Sequence, residues 1–231
     1  MNRSTLSGIQ PVMKSLLLAG GLASGLVVGI VALPVPAVAA EMCQGQAATL
    51  VGSPDISIVG TDGDDVIVTK GSRVIFALDG NDRVCVTGKS GLVYAGFGDD
   101  VVDTTTASSG RSFLGPGADT YLGGPGPDFV KAAGDPGNAA AIGDQQVDVI
   151  DVGAGPATIY SGAPGKGNAD TITVGDGNST LYWSGYQTGG DTLLGSPHGD
   201  VLFGGGGRDV ANGRSGNDQC RAEVRRHCEQ R

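Results

Sequence analysis

The residues in this chain that are best suited to chemistry are aspartates that recur at a regular spacing. Aspartate supplies 21 of the 24 acidic residues, and only Glu41, Glu223 and Glu229 are glutamates. Four aspartates towards the C-terminal end are each nine residues apart, and Asp119 and Asp128 repeat that interval. An earlier series is spaced by 17, 18 and 19 residues, about two such intervals. Carboxylates in a regular array can bind a hard cation through oxygen, so metal binding is the first chemistry to consider.

Each of these aspartates ends a Gly-rich turn and precedes a short apolar stretch. Examples are Gly60-Thr-Asp-Gly-Asp-Asp65-Val-Ile-Val68 and Ala95-Gly-Phe-Gly-Asp-Asp100-Val-Val-Asp103. The shared unit is the nonapeptide G-G-x-G-x-D-x-U-x, in which U is a large apolar residue. Glycine permits tight turns with positive φ, and the apolar or β-branched residues favour a short strand. Two units then form one coil, so aspartates two units apart stack at the spacing of neighbouring strands, about 4.8 Å.

This stacking predicts that Asp191 lies next to Asp209 and that Asp200 lies next to Asp218. Two carboxylates ~5 Å apart repel each other by roughly 3 kcal/mol at an effective dielectric constant of ~20. A cation between adjacent turns converts this repulsion into attraction. The available ligands are carboxylate and backbone carbonyl oxygens, which suit Ca²⁺ better than Mg²⁺ or Zn²⁺.

The repeat resembles the hemolysin-type calcium-binding repeats of the repeats-in-toxin (RTX) family, with recognisable units over residues 52–220. The resemblance implies an all-β fold, a right-handed parallel β-roll (β-solenoid) that is capped at both ends. It implies several Ca²⁺ ions between stacked loops, and a chain that folds or is stabilised on binding them. The implied ligands are the repeat aspartates Asp65, Asp82, Asp100, Asp119, Asp128, Asp191, Asp200, Asp209 and Asp218. We expect Asp64 and Asp99, each one place earlier, to assist.

The repeat pattern weakens between residues 132 and 190. Ala157 and Ser179 occupy aspartate positions there, as Ile56 does in the first unit. The spacings through Asp148 and Asp170 are irregular, so we interpret these two as solvated turn residues. We therefore expect two better calcium clusters, one near residues 60–130 and one near residues 189–218.

The first 40 residues have the features of a secretory signal. Arg3 and Lys14 precede an apolar stretch over residues 15–33, and Ala37-Val-Ala39 offers a cleavage site. An uncleaved membrane anchor is the alternative, because the apolar stretch is nearly long enough to cross a bilayer. Cleavage predicts a secreted, extracellular protein with no stable membrane insertion.

The chain contains four cysteines, Cys43, Cys85, Cys220 and Cys228, all after the signal. An even number of cysteines in an exported chain suggests two disulfides, for which three pairings are possible. We favour Cys43–Cys85 and Cys220–Cys228, which would place one disulfide at each end of the mature chain. In that case residues 220–228 cannot form one straight helix, because its ends would be about 12 Å apart.

These features divide the chain into four segments. We expect a signal peptide at residues 1–40, an N-terminal cap with a degenerate first repeat at 41–59, the β-roll at 60–219 and a basic C-terminal cap at 220–231. The chain is more similar to short secreted calcium-binding proteins of actinobacterial type than to the toxins and proteases of the family. The chain departs from the toxins and proteases because it has an N-terminal signal and leaves little room for another domain.

The net charge and the residue pattern also disfavour several other functions. The net charge of −9 disfavours nucleic acid as a partner. The two histidines form no convincing Ser/His/Asp arrangement, so we expect no enzyme activity. Three roles are left open. The first is a structural or adhesive protein, with a cell-surface glycan or protein as a further partner, and the second is a calcium buffer or sensor. The third is a carbohydrate-binding or polysaccharide-active β-solenoid, for which Tyr182, Trp183 and Tyr186 are a candidate sugar-stacking patch or simply core filling.

Overall fold

The computed structural model describes residues 39–132, 146–161, 169–177, 179–181 and 189–229. Within these residues the chain is all-β and contains no helix. The strands are short because each nonapeptide supplies only about three residues between its turns. Their bounds are β1 Met42–Cys43, β2 Gln46–Ala47, β3 Leu50–Val51, β4 Ile58–Val59, β5 Val66–Val68, β6 Val74–Asp79, β7 Arg83–Cys85, β8 Leu92–Phe97, β9 Val101–Asp103, β10 Gly110–Phe113, β11 Thr120–Leu122, β12 Asp128–Lys131, β13 Val149–Asp151, β14 Ala157–Tyr160, β15 Thr171–Thr173, β16 Thr180–Leu181, β17 Thr192–Leu194, β18 Val201–Phe203, β19 Val210–Asn212, β20 Gln219–Arg221 and β21 Val224–Arg226.

Successive strands after the β1–β2 hairpin alternate between two parallel sheets. The odd-numbered strands from β3 to β21 form a ten-stranded sheet, and the even-numbered strands from β4 to β20 form a nine-stranded sheet. Each coil therefore adds one strand to each sheet, which gives a β-solenoid of about eight turns. This confirms the prediction that two nonapeptides form one coil. The right-handed sense of the coil stays a prediction.

The core between the two sheets is thin: most strands contribute one inward side chain, and the longer β6 and β8 each contribute two. In the ten-stranded sheet these side chains occupy the U position of the repeat, and each is paired in register with the next. They are Ile67, Val84, Val102, Tyr121, Ile150, Ile172, Leu193 and Ala211, all 2% exposed or less. Each large apolar side chain contributes about 1.5–3 kcal/mol by burial. Because this core is thin, the stability of the fold depends strongly on the contacts between neighbouring coils.

A column of aromatic side chains lies on the outward face of the nine-stranded sheet. The rings of Phe76 and Tyr94 stack with centroids 5.1 Å apart at 4°, and those of Tyr94 and Phe113 at 5.1 Å and 10°. Such pairs contribute about 0.5–1.5 kcal/mol beyond the area that they bury. Both faces of the Tyr94 ring are occupied by its neighbours, so the column ties coils together.

Both favoured disulfides are present in the structure. Cys43 of the β1–β2 hairpin bonds to Cys85, and these two pack with Val66 and Val68 on the outward face of the ten-stranded sheet. At the other end of the solenoid Cys220 bonds to Cys228. The segment between them contains β20 and β21, which agrees with the prediction that it is not a helix.

Parts of the predicted organisation fall outside the described residues. These parts are residues 1–38 of the predicted signal and Tyr182, Trp183 and Tyr186 of the candidate aromatic patch. In the portion of the chain that the structure does describe, no helix is long and apolar enough to cross a membrane.

The two disulfides are expected to contribute unequally to stability. Their cysteines are 42 and 8 residues apart, and chain entropy assigns roughly 4 kcal/mol to the longer loop and roughly 2.5 kcal/mol to the shorter. Replacing Cys43 and Cys85 together by Ser should therefore lower Tm more than replacing Cys220 and Cys228 by Ser. Thermal unfolding of both variants in excess calcium measures this, and the reverse order would contradict it.

Candidate metal centre

The aspartates that precede strands of the ten-stranded sheet form one hydrogen-bonded column, which we call column A. The backbone N–H of each aspartate donates to Oδ1 of the aspartate in the next coil, at N···O distances of 2.8–3.0 Å. At the N-terminal end Thr49 Oγ1 donates to Asp65 Oδ1 at 3.0 Å. The eight members of column A are Asp65, Asp82, Asp100, Asp119, Asp148, Asp170, Asp191 and Asp209. The predicted contact of Asp191 with Asp209 is therefore confirmed.

The corresponding positions along the nine-stranded sheet form a shorter column, column B. Its members are Asp128, Ala157, Ser179, Asp200 and Asp218. The backbone N–H of Asp200 donates to Asp218 Oδ1 at 2.9 Å, which confirms the predicted pairing, and that of Ser179 donates to Asp200 Oδ1 at 2.8 Å. Asp128 N–H donates to the carbonyl of Pro156 instead, because Ala157 has no acceptor to offer. Column B therefore loses its carboxylates where the sequence pattern weakens.

Asp128 takes part in a polar network inside the solenoid. Its carboxylate lies beside the hydroxyl of Tyr121 and the backbone N–H groups of Gly110 and Gly124, yet its Oδ2 is buried and accepts no hydrogen bond from the described residues. Thr104 Oγ1 lies 2.9 Å from the Tyr121 hydroxyl. Burial raises the pKa of Asp128 to about 6 against the opposing effect of these donors. Asp128 therefore has an unsatisfied buried Oδ2 like Asp82, Asp100 and Asp209 of column A, and its predicted role as a metal ligand stays a prediction.

Asp64 and Asp99 belong to a separate, exposed column that includes Asn81. Asn81 N–H donates to Asp64 Oδ1 at 2.8 Å, and Asp99 N–H donates to Asn81 Oδ1 at 2.8 Å. Asp99 Oδ1 in turn accepts from Ala118 N–H at 2.9 Å. These bonds tie the turns of adjacent coils together, and any help that the two carboxylates give to a cation stays a prediction.

Asp148 and Asp170 belong to column A, although their spacing did not indicate it. The intervals from Asp119 to Asp148, to Asp170 and to Asp191 are 29, 22 and 21 residues, yet the same bond joins all four. Both Asp148 and Asp170 are 0% exposed, so their interpretation as solvated turn residues is wrong. The D-x-U tripeptides that end in Ile150 and Ile172 could have identified them whatever the interval.

Burial makes three carboxylates of column A costly to ionise. It raises the pKa of Asp82 and of Asp209 to about 6 and that of Asp100 to about 8. In each case the N–H bond from the previous coil opposes the shift, and the neighbouring aspartates add to it. Burial likewise raises the pKa of Asp218 in column B. A buried carboxylate is stable only if a proton or a cation compensates its charge.

Oδ2, the second carboxylate oxygen of these aspartates, is the atom that indicates a cation. Oδ2 of Asp82, Asp100, Asp209 and Asp218 is buried and accepts no hydrogen bond from the described residues. Buried polar atoms are almost always satisfied in folded proteins, so such oxygens indicate an ion or another unobserved partner.

At Asp218 and Asp200 of column B, a glycine five residues before the aspartate keeps the space beside Oδ2 open. A Cβ on Gly213 would lie 2.3 Å from Asp218 Oδ2 and 2.3 Å from the carbonyl oxygen of His227. A Cβ on Gly195 would lie 3.0 Å from Asp200 Oδ2 and 2.7 Å from the Gly213 carbonyl. Carboxylate and carbonyl oxygens from adjacent coils thus border the same space, which only glycine leaves unfilled.

This set of donors fits calcium. Among the described residues, no three His, Cys, Asp or Glu side chains converge on one point. A cation beside Oδ2 would therefore be held by one or two carboxylates together with backbone carbonyls. Hard oxygen ligands in a flexible loop are the environment that Ca²⁺ prefers, whereas Zn²⁺ favours nitrogen and sulfur. Calcium here would supply positive charge between coils, and the chain supplies the oxygens.

The raised pKa values predict how the stability of the calcium-free protein depends on pH. For Asp82, Asp100 and Asp209 the pKa rises from 3.8 to about 6, 8 and 6, so folding favours their neutral forms. The stability linked to these protons is fully present below the unfolded pKa and is lost as the pH rises through the folded values. In chelator, Tm should therefore fall between pH 5 and pH 8.5. A Tm that rises over this interval would contradict the prediction.

Replacing Asp100 by Asn should have opposite effects with and without calcium. Asn can still accept the N–H of Asp82 through Oδ1, but it removes a buried charge. In chelator at pH 8 the variant should melt higher than the parent, by about 2–4 °C for each kcal/mol regained. In calcium it should bind at least one ion roughly tenfold more weakly, about 1.4 kcal/mol.

The matched control is Asp55→Asn, because Asp55 is exposed and lies outside both columns. Thermal unfolding and calorimetric calcium titration should leave this control close to the parent. Equal behaviour of the Asp55 and Asp100 variants in both measurements would refute the assigned role of column A.

Comparison with protein families agrees with this geometry. The family model described as the RTX calcium-binding nonapeptide repeat (4 copies) matches residues 164–182 and 187–220. No curated protein and no solved structure matches the chain. Column A extends the same arrangement towards the N-terminus as far as Asp65, beyond the matched residues. The chain thus carries RTX calcium-binding nonapeptide repeats, and its fold is a β-solenoid consistent with the RTX β-roll.

Proposed function

We propose that this protein is a secreted, non-enzymatic calcium-binding β-roll that is structural or adhesive at the cell exterior. The observation that carries the proposal is column A, in which buried carboxylates from successive coils stack and Oδ2 of Asp82, Asp100 and Asp209 accepts no hydrogen bond from the described residues. Several Ca²⁺ ions between coils would compensate these charges and hold the solenoid together.

The energetics favour a fold that depends on calcium. Extracellular calcium modules bind with dissociation constants of about 10⁻⁴–10⁻³ M. At ~1 mM calcium and ~0.1 mM affinity each site contributes about 1.4 kcal/mol. Since whole domains are stable by only about 5–15 kcal/mol, several such sites are enough to decide whether a thin core folds.

Export is supported by two independent features. The sequence begins with an apolar leader and a small-residue cleavage site. The structure contains two disulfides, which persist in oxidising compartments and are rare in the cytosol. Extracellular calcium would then be available to the protein throughout its life.

The absence of catalysis is supported by where the acidic groups lie. The carboxylates of column A are buried and bonded to backbone, so they are poorly placed to exchange protons with a substrate. Of the two histidines, His227 lies with Nδ1 3.0 Å from Asn212 Oδ1 near the C-terminal end. A carbohydrate-binding role is less well supported, because the outward aromatic rings stack on one another and leave Tyr94 no free face.

Calcium titration of the purified chain tests the proposal. Calorimetry should show several ions bound, and thermal unfolding followed by far-UV circular dichroism should show more β-structure and a higher Tm in calcium than in chelator. Magnesium at the same concentration is the control and should give little of either effect, because it demands a tighter octahedral site. Identical spectra and Tm values in calcium and in chelator would refute the proposal.

A further inference from the structure

Both aspartate columns end on a glutamate at the C-terminal end of the solenoid. Asp209 N–H donates to Glu223 Oε2 at 2.9 Å, and Asp218 N–H donates to Glu229 Oε2 at 2.8 Å. These are the bonds that aspartate Oδ1 accepts in the preceding coils. Two of the three glutamates in a chain of 21 aspartates thus occupy the two terminal places.

The backbone shows how each glutamate reaches its place. Val224 is paired with Val210, so Glu223 stands in register with Asp209 at the position of a repeat aspartate. Glu229 is displaced by one residue, because its own N–H donates to the Asp218 carbonyl at 3.2 Å. In the preceding coil the equivalent bond comes from Gln219, the residue after the aspartate. The extra methylene of glutamate lets Glu229 reach the Asp218 N–H from this displaced position.

The last aspartate of each column has a buried Oδ2, and at Asp218 the open space seen beside Asp200 is repeated. Asp209 and Asp218 are 0% exposed, and Oδ2 of each accepts no hydrogen bond from the described residues. The His227 carbonyl borders the space next to Asp218 Oδ2, and the missing side chain of Gly213 leaves that space open. Asp218 Oδ2 therefore faces the segment that carries Glu229, and the buried Asp209 Oδ2 belongs to the aspartate whose N–H is bonded to Glu223.

The two glutamates form no ion pair with the nearby arginines of the described residues. Arg221, Arg225 and Arg226 lie in the same segment, yet no Lys or Arg of the described residues comes within ion-pair distance of either carboxylate. The Cys220–Cys228 disulfide closes the loop that contains Glu223 and fixes the residue before Glu229. Each carboxylate is thereby held beside a column with one oxygen bonded to backbone and its charge uncompensated.

We propose that Glu223 and Glu229 are ligands of the last divalent cation of column A and of column B. The C-terminal segment then completes two metal sites with side chains of its own, in addition to covering the end of the solenoid. This inference rests on the proposed calcium binding and goes beyond the repeat aspartates.

The test compares Glu223→Gln, Glu229→Gln and the double variant with the parent chain by calorimetric calcium titration. Gln keeps an oxygen that accepts the backbone N–H but removes the charge. We expect each single variant to lose one ion, or to bind one at least tenfold more weakly, and the double variant to lose two. In chelator their Tm should equal or exceed that of the parent. Glu41→Gln is the matched control, because Glu41 pairs with Lys70 near the N-terminus, and it should bind as the parent does.

The register argument gives a second, charge-conserving comparison. Glu223→Asp should keep the parent stoichiometry because residue 223 is in register with Asp209. Glu229→Asp should lose one ion because the shorter side chain cannot span the displaced position.

Unchanged ion numbers and affinities in the Gln variants of a parent that binds calcium would overturn this inference alone. A parent chain that binds no calcium would overturn the proposed function and this inference together.

Discussion

The structure depends on one repeated hydrogen bond, from the backbone N–H of an aspartate to the carboxylate of the aspartate in the next coil. This bond sets the register of neighbouring coils, and in column A it runs the length of the ten-stranded sheet. It also places a buried carboxylate in every coil of column A, and these stacked negative charges repel one another. The same feature that orders the solenoid therefore makes it dependent on a proton or a cation.

The other features of the fold follow from this requirement. Glycine five residues before an aspartate leaves room beside Oδ2, where carbonyl oxygens of the adjacent coil are also found. The core is thin, so the burial of apolar side chains alone supplies little free energy to offset the repulsion between the carboxylates. The stacked outward aromatics, the disulfide at each end and the terminal glutamates all add contacts between coils or at the ends.

The two edges of the solenoid differ in their capacity for cations. Column A is continuous, including the region where the aspartate spacing becomes irregular. Column B contains carboxylates at Asp128, Asp200 and Asp218, with Ala157 and Ser179 between them. Asp128 is in register with Ala157, so the next coil offers it no second carboxylate to share a cation. We therefore expect calcium to be concentrated along column A and at the C-terminal end of column B.

The sequence by itself determined the nonapeptide unit, the pairing of units into coils and the stacking of Asp191 on Asp209. It could do so because turn residues and apolar residues alternate at a constant interval, which local conformational preference translates directly into a coil. It favoured the correct disulfides but left other pairings open. Only the tertiary structure decided that Asp148 and Asp170 join column A, since strand pairing and not residue count sets which side chains stack. It alone showed the contact of the Tyr121 hydroxyl with Thr104 and the terminal positions of Glu223 and Glu229. Those contacts join residues whose proximity depends on how the coils are closed, and no local pattern in the chain encodes that.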